Sequence, residues 1–203
     1  MNKEIERKFA IKYVPEKLEI KRIVNIDQAF IYRDFNTLIR IRKIENVHNK
    51  EKNRNIEYIY TVKTKGDIQY DNSYNIGKKY EIENNITKEE YEKLLKNKIS
   101  NVIRKTRIVT PINEKLNAEI DIYYEYLEGL VTLEVEFSNE NEAVEFLKPD
   151  WIGEELGYKE LSNRKLAEMT KEDFIKKVAK EFMDNNKIVI KDLLGLSKMK
   201  NIK

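Results

Sequence analysis

An α+β protein is predicted, its sheet antiparallel and eight-stranded, able to close into a barrel with helices on the outside. Three observations predict it. Segments rich in Ile, Val, Tyr and Thr dominate the first two thirds of the 203 residues. In seven of the eight such segments charged residues recur two apart and alternate with apolar ones, the period of a strand whose faces differ. Helical periodicity is confined to a few stretches.

The strands are expected near residues 2–11, 27–33, 37–44, 56–65, 77–84, 101–109, 116–126 and 130–138. Glu128-Gly129 joins the last two as a hairpin turn, and the polar stretches 45–55 and 66–76 read as long hairpin loops. Thr87-Lys88-Glu89-Glu90 is a capping box opening a helix with Tyr91, Leu94 and Leu95 on it. Residues 139–146 read as a second helix, with Ala143, Phe146 and Leu147 as its apolar stripe. A third begins at Thr170, where Phe174, Val178 and Phe182 fall at four-residue steps. Residues 187–203 read as a short helix around Leu193 and Leu194 with a frayed basic tail, and Trp151 as a helix-to-loop anchor. Residues 1–170 are expected to form one domain, and 171–203 a helical extension packed on it or trailing from it.

Composition narrows the chemistry. There is no cysteine, and the single histidine, His48, lies in a polar run. Disulfides, thiolate nucleophiles, histidine triads and Cys/His metal sites therefore lack raw material. Charged residues make up 37% of the chain, yet 39 basic and 36 acidic side chains nearly cancel, which points away from a nucleic-acid coat. No window approaches the ~18 apolar residues of a membrane span, and the first residues lack the apolar core of a signal peptide. A cytoplasmic protein without a membrane partner is expected, and a homodimer is left open.

The phase of the charges is the informative feature. Glu4, Glu6 and Lys8 share one face, as do Arg40 with Arg42, Lys63 with Lys65, and Lys79 with Glu81 and Glu83. Lys105 with Arg107, Glu119 with Asp121, and Glu134 with Glu136 follow the same rule. Arg7, on the apolar side of its strand, is an exception. If the charged faces look inward, the lumen holds eight carboxylates and eight cations. At several kcal/mol of desolvation per ion, a dry interior would exceed a net stability of about 5–15 kcal/mol. Such a lumen must be wet, internally paired and occupied by charged ligands. Converging arginines and lysines suit a phosphate chain. Paired carboxylates without histidine suit a hard divalent cation, Mg²⁺ or Mn²⁺.

These residues, in this order, resemble a known family. Glu4-Ile5-Glu6-Arg7-Lys8-Phe9 is similar to the ExExK signature of the CYTH domain, also called the triphosphate tunnel metalloenzymes. Gln28-Ala29-Phe30-Ile31 resembles the segment that follows it, and Ile39-Arg40-Ile41-Arg42 the paired-arginine strand. Thr61 to Gly66 resembles the lysine strand, Lys79-Tyr80-Glu81-Ile82-Glu83 the basic-then-ExE strand, and Lys105-Thr106-Arg107 the KxR strand. Glu119-Ile120-Asp121 and Glu134-Val135-Glu136 resemble the last two acidic strands. Lys79 stands where many members have arginine, and 157–164 resembles the closing motif only loosely, leaving Arg164 as a candidate there.

The resemblance implies an eight-stranded closed antiparallel tunnel and metal-dependent chemistry on a small-molecule triphosphate. On that basis Arg40, Arg42, Lys63, Lys65, Lys79, Lys105, Arg107 and Arg164 are expected to bind the substrate, and Glu4, Glu6, Glu134 and Glu136 a divalent ion. Glu81, Glu83, Glu119 and Asp121 are expected to help hold a second ion or to position and deprotonate the attacking water. Lys8 is expected to orient water or contact the terminal phosphate. Hydrolysis of inorganic triphosphate or a related organic triphosphate is the expected reaction. Adenylate cyclisation and non-catalytic polyphosphate or nucleotide binding are the alternatives.

Overall fold

The computed structural model describes residues 2–47, 56–65, 77–156 and 161–200, and the side chains of all of these except 2–4, 65, 77–79, 178–184 and 197–200. His48, most of the two expected hairpin loops, residues 157–160 of the loose closing motif, and the side chains of Glu4, Lys65, Lys79, Val178 and Phe182 lie outside the described residues.

Among the described residues are nine strands: β1 (Asn2–Ile11), β2 (Arg22–Arg33), β3 (Thr37–Asn46), β4 (Ile56–Lys65), β5 (Gly77–Asn85), β6 (Ile103–Pro111), β7 (Asn117–Tyr123), β8 (Val131–Glu136) and β9 (Ile152–Glu155). They form one sheet in the order β5-β4-β3-β2-β6-β7-β8-β1-β9, every pair antiparallel. β5 also pairs with β1, Asn2 lying opposite Glu81 and Glu4 opposite Lys79. Helices follow as α1 (Lys88–Lys96), α2 (Glu140–Glu145), α3 (Asn163–Glu168), α4 (Lys171–Phe174) and α5 (Lys180–Lys200), with a π-helical turn at Ile175–Ala179 between the last two.

Local chemistry explains most of these boundaries. Thr87 caps α1 in the expected capping box with Glu90, and Thr170 caps α4 in the same way with Asp173. Gly129 takes φ 97° at the expected hairpin turn, a conformation glycine adopts without steric cost. β2 begins at Arg22 rather than at 27, because Ile23, Val24 and Ile26 are apolar on both faces and no alternation marks the start. β9 and α3 carry too little periodicity to be seen in advance. β9 needs its glycine: a Cβ on Gly153 would sit 3.1 Å from the Ala10 carbonyl oxygen.

The apolar strand faces lie under helices. Ile5, Phe9, Ile11, Ile120, Leu133 and Val135 form the main core with Ala143 of α2 and Val189 and Leu193 of α5. Each such side chain contributes roughly 1.5–3 kcal/mol on burial. Tyr91 of α1 covers Ala29 and Ile41 on the far side. The expected short terminal helix is instead the 21-residue α5. Its Asn185 donates to the Ile11 carbonyl at 2.8 Å and its Asn186 to that of Gly129 at 3.0 Å. Leu147 is 91% exposed rather than part of the α2 stripe, whereas Phe146 packs on Phe9 and Phe137. No helix among the described residues is long and apolar enough to cross a membrane.

Arg7 finds its explanation here. Its guanidinium grips Glu155 of β9 through Nε at 3.1 Å and Nη2 at 2.7 Å, and donates from Nη1 to the Ala143 carbonyl at 2.6 Å. It also lies over the Phe9 ring at 5.2 Å. It fastens β9 and α2 to β1 on the outer face.

Candidate active site

Strand register lines the ions up on the other face of the sheet. Thr61 of β4 lies between Arg40 of β3 and Glu83 of β5, and Lys63 lies opposite Glu81. The Arg40 Nη2 reaches Glu81 at 3.0 Å and Glu83 at 3.2 Å, and Lys63 Nζ reaches Glu81 at 3.2 Å. Arg42 also pairs with Glu83, which accepts a further bond from the Thr61 hydroxyl at 2.9 Å.

A second network is centred on Arg107 of β6. Its Nε and Nη2 grip Asp121 of β7 as a fork, each at 2.7 Å, while Nη2 also reaches Glu134 of β8 at 2.8 Å and Nη1 pairs with Glu119. Lys105 bonds Asp121 at 2.5 Å with the Tyr123 ring 5.5 Å beneath it. Lys8 of β1 bonds Glu134 and the Leu161 carbonyl, both at 2.8 Å.

Protonation follows from this pairing. Burial pushes the carboxyls of Asp121 and Glu134 up, but Arg107 and Lys105 at the first, and Lys8 and Arg107 at the second, hold both below the usual range. Glu83 behaves likewise: burial opposes it, yet Arg42 brings it down to about 2. Burial also acts on the cations, lowering Lys105 to about 8 with Arg107 adding to the effect, and Arg42 to about 10 with Arg40 and Arg107 adding. Burial pushes Lys8 down, but Glu134, Tyr123 and Glu6 together hold it above its ordinary value.

The structure thus brings together Lys8, Arg40, Arg42, Lys63, Glu81, Glu83, Lys105, Arg107, Glu119, Asp121 and Glu134 on one face. Glu6 and Glu136 lie directly opposite one another on β1 and β8, and Glu119 opposite Glu134. The backbone positions of Glu4 and Lys65 both face that of Lys79. Arg164 is exposed on α3, and its neighbour Asn163 accepts from the Tyr123 hydroxyl at 3.2 Å. Lys8 is aimed at Glu134 and the chain at Leu161, and is 2% exposed. Among the described residues no group of three acids stands ready as a metal cage. Most of the acids are turned onto lysines and arginines.

Thr61, Thr132 and Tyr123 complete this face, all buried. Extending the two-residue rule from charged to uncharged positions would have found them. The ions on this face are paired directly with one another. Leu161 and Leu166 form an apolar cluster with Phe30, Ile103 and Tyr123.

Fold and site define a class of α+β proteins whose antiparallel sheet turns matched acids and bases to a common side. No family model matches the chain. The inorganic triphosphatase of Nitrosomonas europaea is 28% identical over 154 residues, 75% of this chain and 88% of that protein. A solved structure of the inorganic triphosphatase NE1496 aligns with TM-score 0.53 and 28% identity, covering 82% of this chain and 95% of that one. A conserved hypothetical protein from Pyrococcus furiosus shares the fold at TM-score 0.50 and 23% identity, covering 73% and 94%. Over most of its length the chain is thus similar, in sequence and in fold, to inorganic triphosphatases.

Proposed function

We propose that the chain hydrolyses a triphosphate, inorganic triphosphate foremost, inside a closed eight-stranded tunnel and with a divalent cation, Mg²⁺ or Mn²⁺. The observation that carries the reading is the matched set of buried ions: Arg40, Lys63, Lys105 and Arg107 each meet a carboxylate of the same face. A phosphate chain and a divalent cation entering together can exchange partners with that set, phosphate taking the cations and metal the acids, with no net charge left uncompensated. The name of the Nitrosomonas relative supports the substrate class, and the β1–β5 pairing supports closure of the tunnel.

The donor set fits the metal. Like charges directly opposite on a sheet repel, and Glu6 faces Glu136 as Glu119 faces Glu134. These oxygens, with Glu4, would hold a hard divalent ion. When bound, the ion supplies Lewis-acid stabilisation of charge on the phosphate oxygens. The remaining work falls to the chain. Arg40, Arg42, Lys63, Lys65, Lys79, Lys105 and Arg107 hold the phosphates in line. Lys8 holds the Glu134 carboxylate in place. Asp121 is clamped by two cations, whereas the Glu119 side chain is 34% exposed. Glu119 is thus the better placed of the two to take a proton from the attacking water at its carboxylate oxygen, with Glu81 and Glu83 orienting that water from across the lumen. With no cysteine in the chain, the cytoplasm is the compartment we assign.

The test is phosphate release. Purified protein with inorganic triphosphate and Mg²⁺ or Mn²⁺ should liberate phosphate, and excess chelator should abolish it while the circular dichroism spectrum is kept. Absence of turnover with inorganic triphosphate, thiamine triphosphate, ATP and a 5′-triphosphorylated oligonucleotide would sink the reading. Cyclic AMP from ATP would replace it with a cyclase, and tight binding without turnover with a binding module.

A further inference from the structure

Seven of the eight strands β1 to β8 present an ion to the interior. β2 presents none. By register its inward residues Val24, Ile26 and Gln28 lie opposite Arg107, Lys105 and Ile103 of β6, and Gln28 lies opposite Arg42 on the β3 side. Gln28 is 1% exposed, and its amide Nε2 is buried with no hydrogen-bond partner. The Nε atoms of Arg40 and Arg42 are in the same condition. Beside them Val24, Ile26 and Ile44 pack together with Ile59, an apolar wall that offers no acceptor. A buried donor left unmade is costly, and native proteins rarely keep such groups without use. Here three stand on two adjacent strands.

We propose that Gln28 is a substrate-binding residue, donating from Nε2 to an oxygen of a phosphate group whose oxygens also accept the Nε–H groups of Arg40 and Arg42. The assignment rests on the triphosphate reading above and adds to it a neutral reader on the wall that has no charge. A phosphate oxygen is the ligand atom that suits the trio: it only accepts, it carries the charge that two guanidiniums require, and it has lone pairs for several donors. An amide adds direction without disturbing the balance between acids and bases. The apolar wall keeps that bond away from competing water, where it is electrostatically stronger.

The signature is a stability and an affinity that move in opposite senses. Gln28→Met keeps the volume and removes the donor. Ligand-free, the full-length variant should melt at or above the wild-type temperature, because an unsatisfied buried group has gone. With inorganic triphosphate and Mg²⁺ its kcat/KM should fall about tenfold or more, the effect of one hydrogen bond to a charged group, and the rise in melting temperature caused by triphosphate should shrink. Gln28→Glu places an anion there and should lose more than Gln28→Met in both readouts. A Gln28→Met protein that turns over and binds like wild type overturns the proposal. So does one whose lost turnover accompanies a lowered ligand-free melting point, and so does failure of both variants to fold, since each makes Gln28 structural. Wild-type protein that neither binds nor hydrolyses triphosphate would instead remove the function on which the proposal rests.

Discussion

The two sides of the charged sheet face differ in the sign of their charge and in how fully it is satisfied: β3, β4 and β5 bring five cations and two carboxylates, whereas β6, β7, β8 and β1 bring three cations and six carboxylates. On the β6-β7-β8-β1 half, Lys8, Lys105, Asp121 and Glu134 are almost wholly buried, and Arg107 spreads its bonds over three carboxylates. On the β3-β4-β5 half, Glu83 has a side chain 39% exposed, and the Nε atoms of Arg40 and Arg42 have no partner. A saturated, buried network resists rearrangement, because removing one member strands the others. A half-open one lets partners go at small cost, since water can take them. One half is therefore built to keep its shape, the other to exchange.

Breaking the saturated half should have the largest effect. Arg107→Met leaves Glu119, Asp121 and Glu134 without their common partner and should cost about 3–5 kcal/mol in urea unfolding, with kcat/KM for triphosphate down by roughly 10³-fold or more. Retained stability would show that the acids find other partners and that the halves do not differ. Arg42→Ala probes the open half. There kcat/KM should drop by about 10²-fold while unfolding changes by less than in Arg107→Met, because the one carboxylate Arg42 meets, Glu83, keeps Arg40 and the Thr61 hydroxyl as partners; a stability loss as large as that of Arg107→Met would erase the distinction.

Outside the lumen the contrast sharpens. Glu155→Gln weakens the Arg7 clamp and should lower stability by about 1–2 kcal/mol with unchanged kcat/KM. An activity loss at equal stability would mean that β9 reaches the site. Acid gives the smallest effect. Carboxyls held below their ordinary value stabilise above the unfolded pKa and lose that contribution as pH falls through the folded one. For Glu83 the window runs from 4.5 down to about 2, and Asp121 and Glu134 shift in the same direction. The melting temperature of chelator-treated, ligand-free protein should thus hold between about pH 7 and about pH 5 and decline below. Decline already above pH 5 would point to groups other than these carboxylates.

What the sequence disclosed was whatever the two-residue period exposes. Arg40 with Arg42, or Glu119 with Asp121, declare their face because an apolar residue separates them. Arg7 defied the period because its partner, Glu155, lies 148 residues away on a four-residue strand with no pattern of its own. Gln28 carries no charge, so the phase of the ions gives it no role, and Val24 and Ile26 are apolar on a face where the other strands carry ions. Arg164 stands out by its charge, while its neighbour Asn163 meets the Tyr123 hydroxyl. The length of α5 was hidden for another reason: its helix is held by Val189, Leu193 and two asparagine bonds to the sheet, all of them contacts at long range.

β1 pairs with β5, β8 and β9, and its end is gripped from α5. The strand translated earliest thus has its neighbours supplied latest, Glu6 meeting Glu136 and Phe9 meeting Glu155. Loop-closure entropy must be met before such distant pairings give anything back. As the chain emerges the hairpins β2-β3-β4-β5 can form in sequence, while β1, already outside, waits for β8 and β9 with ions unmatched, and final assembly should be slow relative to the making of those hairpins.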